Sequence, residues 1–133
     1  MAARKVTHTL PETGKVTDAI KSDRQGWIIG HFMPKTSMAH THELEVRVWD
    51  YPPNFNYGIK AFHGEELIIV QVGHLRITLG EKRSTTVHEV PAGEYIIVPP
   101  GVKKNVLPLV YSAGVTVRWP SLPGSNQIVT APR

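Results

Sequence analysis

The sequence predicts an all-β domain, built as a sandwich or a closed barrel. Three observations carry that expectation. Eight short apolar or alternating runs follow one another between residues 27 and 119. Glycine and proline, 11 of each, fall mainly at the breaks between these runs, where turn chemistry needs them. No stretch keeps the 3.6-residue apolar spacing of a long helix.

The first 24 residues are polar and mixed. They read as an N-terminal extension in which Val16-Thr17-Asp18-Ala19-Ile20-Lys21 makes one helical turn at most. Trp27-Ile28-Ile29-Gly30-His31-Phe32-Met33 is a β-rich apolar run closed by Pro34. Residues 44–51 alternate, with Leu44, Val46 and Val48 on one face and Glu45, Arg47 and Trp49 on the other. Pro52-Pro53-Asn54 ends that run as a turn. Residues 66–72 form the next run, stopped by Gly73. Residues 74–79 alternate again, placing Leu75, Ile77 and Leu79 together. Further strands are expected at 85–90, 95–98, 105–111 and 114–119. The barrel domain therefore spans 25–120, followed by an irregular tail over 121–133.

A chain of 133 residues suits one domain with a sizeable core. It has no cysteine, which excludes disulfides and thiolate chemistry. No run approaches the length of a membrane helix, and no apolar segment follows Arg4-Lys5 as a secretory signal requires. A cytoplasmic protein is expected. The net charge of +4 is scattered rather than gathered on one face, so no nucleic-acid partner is expected.

Two turn motifs add a resemblance. Gly93-Glu94-Tyr95-Ile96-Ile97-Val98-Pro99-Pro100-Gly101-Val102-Lys103-Lys104 resembles the second signature of the cupin superfamily, with Gly93, Pro99 and Gly101 at the signature spacing. Lys104 stands where the signature has histidine, and Pro108 where it has asparagine. Glu66, seven positions before Gly73, resembles the end of the first signature. The histidine pair of that signature would fall within Ile59 to Phe62, and none of these is histidine. The two ends of the barrel region, 26–33 and 117–123, resemble an uncharacterised group of small single-domain bacterial cupins. The resemblance implies a cupin-like double-stranded β-helix (jelly-roll) barrel. It also implies a homodimer, and a first-row metal held by three histidines and a glutamate, of which only Glu66 is in place.

Two readings of the chemistry follow. In the first, the barrel binds a small polar or anionic molecule without a cofactor. Lys104, Arg47, Glu45 and Arg118 are then the candidate ligand-binding residues. Glu45 and Arg47 serve this reading if their face points into the barrel; on an exposed edge strand they would instead guard against mispairing. In the second reading, a divalent transition metal is held by an unorthodox set, His63, Glu66, His40 and His42, in a dioxygenase- or isomerase-type enzyme. His40-Thr41-His42 puts two imidazoles on one strand face, and a turn at Gly64 would bring His63 towards Glu66. Outside a metal site these residues read as polar loop positions, and His31 as a partly buried, hydrogen-bonded histidine. No nucleophile elbow, paired general acid and base, or phosphate-binding glycine loop is present.

Overall fold

In the computed structural model, residues 10–124 and the strand 126–129 are described. The first nine residues of the extension, including His8, and positions 125 and 130–133 of the tail lie outside the described residues. The chain runs α1 (Val16–Lys21), β1 (Trp27–Ile29), β2 (Glu45–Tyr51), β3 (Ile59–Phe62), β4 (Glu65–Val72), β5 (His74–Leu79), β6 (Thr86–Pro91), β7 (Tyr95–Val98), β8 (Lys104–Pro108), β9 (Ser112–Trp119) and β10 (Asn126–Val129). Two five-stranded antiparallel sheets face each other. Sheet A has the order β1-β2-β9-β4-β7, and sheet B the order β10-β3-β8-β5-β6. The fold is an all-β jelly-roll barrel, as the turn spacing implies.

The core follows from the period of two. Val70, Leu75, Ile77, Val90, Val98 and Val106 point inwards and are buried, with Trp49 and Tyr51 beside them. Gly93 and Gly101, the signature glycines, both adopt positive φ, the conformation that makes glycine the residue of choice there. Gly114 answers to a different need. A Cβ at this position would lie 2.0 Å from the Ile69 carbonyl oxygen and 2.7 Å from the Trp49 ring. Only a bare backbone lets that indole lie flat against β9.

Four expectations change. The run 27–33 is a strand only over its first three residues; Gly30 then leaves it to bridge His40. Residues 59–62 form a strand that the alternation alone did not reveal. The tail over 121–133 is not wholly irregular, because β10 pairs with β3 and extends sheet B. Finally, β2 is no exposed edge: it lies between β1 and β9, and its Glu45-Arg47-Trp49 face points into the barrel.

Replacing Gly114 with alanine should overpack this contact. Denaturant unfolding is expected to show a loss of about 1–3 kcal/mol with an unchanged m-value.

Candidate functional site

The inward faces carry a charged layer at one end of the barrel. On sheet A, Glu45 of β2 and Glu66 of β4 are both cross-strand neighbours of Arg118 on β9. On sheet B, Lys60 of β3 lies opposite Lys104 of β8. Glu66, Lys104 and Arg118 are 3 %, 3 % and 2 % exposed. Lys104 Nζ donates to Glu66 Oε1, and Arg118 Nε donates to Glu66 Oε2 at 2.7 Å. The Arg118 guanidinium is sandwiched between the rings of Trp27, at 4.9 Å, and Phe62, at 4.8 Å. Burial alone would raise the Glu66 pKa, but Lys104 and Arg118 outweigh it and hold the carboxyl below its ordinary value. Glu45 goes the other way. Burial, foremost, raises it, helped by Glu66 and opposed by Arg118.

One layer deeper, Arg47 Nη1 donates to the hydroxyls of Tyr51 at 2.6 Å and Tyr57 at 3.1 Å, while its Nε donates to the Gln25 carbonyl at 2.8 Å. Lys60 Nζ lies 4.2 Å from the centre of the Tyr57 ring. Tyr57 and Phe55 arrive from the 52–58 loop, which Asn54 anchors by donating its backbone N–H to the Pro108 carbonyl at 2.8 Å. Phe55 stacks on Tyr51 at 5.1 Å, and Tyr57 meets Tyr51 edge-on at 5.2 Å. Burial foremost, with Tyr57 beside it, pushes the Tyr51 phenol far above its ordinary value. For Tyr57 burial acts the same way, but Lys104, Arg47 and Lys60 outweigh it and hold the phenol below its ordinary value. The space left between Trp49, Tyr57, Glu66 and Lys104 is about 10 Å³, room for a single water centre.

The four ligand-binding candidates are therefore brought together, but in unequal roles. Lys104 and Arg118 are consumed by Glu66, and Glu45 closes the same layer behind them. Arg47, one layer further in, keeps a guanidinium that no carboxylate neutralises among the described residues. The sequence pattern did not single out Lys60 and Tyr57. The alternation of Lys60 with Phe62 was the available signal for the first; a tyrosine after a Pro-Pro turn offered none for the second.

The metal candidates are not brought together. His63 is exposed between β3 and β4, whereas Glu66 is buried. His40 and His42 lie in the segment before β2, with rings 5.4 Å apart, and His42 faces His31 at 6.2 Å. His40 Nδ1 bonds the Met33 carbonyl, and His31 Nδ1 bonds Ser121 Oγ at 2.7 Å, the partly buried role expected of His31. Among the described residues, no three histidine, aspartate or glutamate side chains are placed to hold a metal ion. At the positions the cupin signatures assign to metal ligands, the inward residues are Lys60, Phe62, Glu66 and Lys104. Two ammonium groups, a phenyl ring and a carboxylate already bound to two cations do not fit a divalent metal.

No family model matches the sequence, and no curated protein does. Solved structures do match. Oxalate decarboxylase from Bacillus subtilis is 14 % identical with a TM-score of 0.61, covering 67 % of this chain and 25 % of that one. An oxalate oxidase in complex with glycolate is 18 % identical with a TM-score of 0.60, covering 68 % and 48 %. Peruvianin-I, a cysteine peptidase from Thevetia peruviana latex, is 16 % identical with a TM-score of 0.59, covering 68 % and 58 %. The chain thus spans a quarter to rather more than half of these proteins. No helix among the described residues is long and apolar enough to cross a membrane.

Glu66→Gln should cost about 3–5 kcal/mol, because two buried cations lose their partner. Replacing Glu66 by leucine with Lys104 and Arg118 both by methionine should recover most of that loss. The depressed Glu66 carboxyl contributes stability above its ordinary value of 4.5, and that stability is lost as pH falls through its folded value. Thermal melts should therefore fall steeply below pH 4.5 in the wild type, and this component should vanish in the leucine–methionine variant.

The two-sheet jelly roll, the signature turn glycines and these structural neighbours together show that the chain has the fold of the cupin superfamily.

Proposed function

We propose that the protein is a binding module for small organic anions that works without a metal. One observation carries this reading. Among the described residues, four inward cations, Arg47, Lys60, Lys104 and Arg118, face two inward carboxylates, Glu45 and Glu66. Glu66 takes Lys104 and Arg118, and burial favours the neutral form of Glu45. Arg47 and Lys60 are left with an uncompensated charge that a ligand carboxylate would neutralise. The Arg47 Nε and Nη1 donors are engaged, so its Nη2 is the donor that would meet a ligand carboxylate. Tyr51, Phe55 and Tyr57 supply the apolar wall beside it. The structural neighbours named for oxalate and glycolate make small hydroxy- and dicarboxylates a sensible first panel.

Thermal-shift titration with oxalate, glycolate, malonate and succinate tests the proposal. A binder should add about 2.7 kcal/mol at roughly a hundredfold over its dissociation constant. Arg47→Gln and Lys60→Gln should each abolish the gain. Stabilisation by none of these anions at low salt would count decisively against the site.

The outer face of sheet A supports a second proposal, that a further copy of the chain covers it. Val46, Leu67, Ile69, Val115 and Val117 point outwards there, with Tyr95 66 % and Ile97 52 % exposed. Four strands at about 4.8 Å and about two outward apolar residues per strand give an apolar footprint of ~19 by ~13 Å. With a polar rim, that is the core of the roughly 800 Å² per partner that a stable dimer buries. Light scattering should return twice the mass of one chain, falling to one in Ile97→Glu.

A further inference from the structure

The position of Lys60 adds a reaction to the anion site. Lys60 lies directly across the strand pair from Lys104, so two ammonium groups share one face of the barrel. Like charges placed opposite one another in this way repel. Lys104 is relieved by Glu66, whereas Lys60 makes no salt bridge among the described residues. The charged groups that act on Lys60 are Arg47, Arg118 and Lys104, all cations, together with the phenol of Tyr57. Its Nζ sits over the Tyr57 ring, and the hydroxyl of that ring accepts from Arg47. One phenol is thus touched by both the amine and the guanidinium. Burial, foremost, and then the three cations keep the Lys60 amine below its ordinary value, against the pull of Tyr57. A desolvated lysine beside other cations is a recognised way of making a nucleophilic amine.

We infer that Lys60 is a covalent site, which condenses with the carbonyl of a small oxo acid whose carboxylate rests on Arg47. This rests on the anion-binding reading and names the ligand class for it. In the step, the Nζ lone pair attacks the carbonyl carbon and a C–N bond forms. The carbonyl C–O bond then breaks, and the oxygen leaves as water with the two hydrogens of the amine. The product is a C=N linkage between ligand and Lys60, which takes one proton to become an iminium. Nothing is oxidised or reduced. Lys60 is half-buried and stands outside the Glu66–Lys104–Arg118 hydrogen bonds, so the step does not require that triad to part.

Reductive trapping tests the inference. The full chain is incubated near neutral pH with pyruvate and cyanoborohydride, which delivers hydride to an iminium. It is then digested and mapped by mass spectrometry. The expected result is a reduced pyruvate adduct on Lys60, absent when either reagent is omitted and lost in Lys60→Arg, which keeps the cation. No adduct, or label spread evenly over surface lysines such as Lys35 and Lys82, overturns it. Because the map is read on the wild-type chain, the result does not depend on the variant folding. Glycolate, an acid with no ketone or aldehyde carbonyl to condense, separates the two claims. Stabilisation by glycolate without a Lys60 adduct removes the imine and leaves the anion site standing; loss of both removes the two together.

Discussion

Glu66 accepts from Lys104 on one sheet and from Arg118 on its own, and it does so in the buried interior of the barrel. Exposed, such a pair would add little. Buried, each member is costly by itself, and only the assembled triad is tolerable. The constraint reaches beyond the three residues. A one-residue slip of β4, β8 or β9 would turn a charge outwards and leave another unpaired, so the triad reinforces the register that the apolar core already favours. It also clasps the two sheets at the end where side-chain volume is least apolar. Trp27 and Phe62 complete it by covering the guanidinium from both sides.

The same contact decides which residues are left for chemistry. With Lys104 and Arg118 engaged, the outstanding positive charge belongs to Arg47 and Lys60. Both meet Tyr57, whose phenol is drawn down while that of Tyr51 is pushed up. Against its burial, Tyr57 has Lys104, Arg47 and Lys60 about it to favour its phenolate, whereas Tyr51 has burial, foremost, and Tyr57 itself against ionisation.

Much of the fold was legible in the turns. Gly73, Gly93 and Gly101 sit where a positive φ is needed, and their spacing identified the barrel before any strand was paired. Two strands were not legible, for physical reasons. β3 is four residues long and carries Lys60 inwards, so its alternation runs against the usual sense of polar outside and apolar inside. β10 is short and borders a stretch rich in proline and glycine. The site was half legible for the same cause. Glu45, Arg47 and Arg118 were picked out by their place on strand faces, and Lys104 because it stands where the cupin signature has histidine. Glu66 was tied to a metal because it matches the signature glutamate, and no sequence rule says which cations a buried acid will meet instead. Position 118 carried a readable hint, since it shares a face with Thr116 and Gly114 while Val115 and Val117 take the other.

The placement of Trp27 carries a consequence of another kind. Its indole lies 4.9 Å from the Arg118 guanidinium and 6.0 Å from that of Arg47, at the rim where a ligand would arrive. Trp49, by contrast, is buried and donates its N–H to Thr116 at 3.0 Å. Under the anion-binding proposal, an anion that drew Arg47 away would alter the electric field at Trp27 directly, and at Trp49 only through Tyr51, on which it stacks. With Trp119, the third indole, replaced, Trp27 emission would then report occupancy in real time with no dye attached.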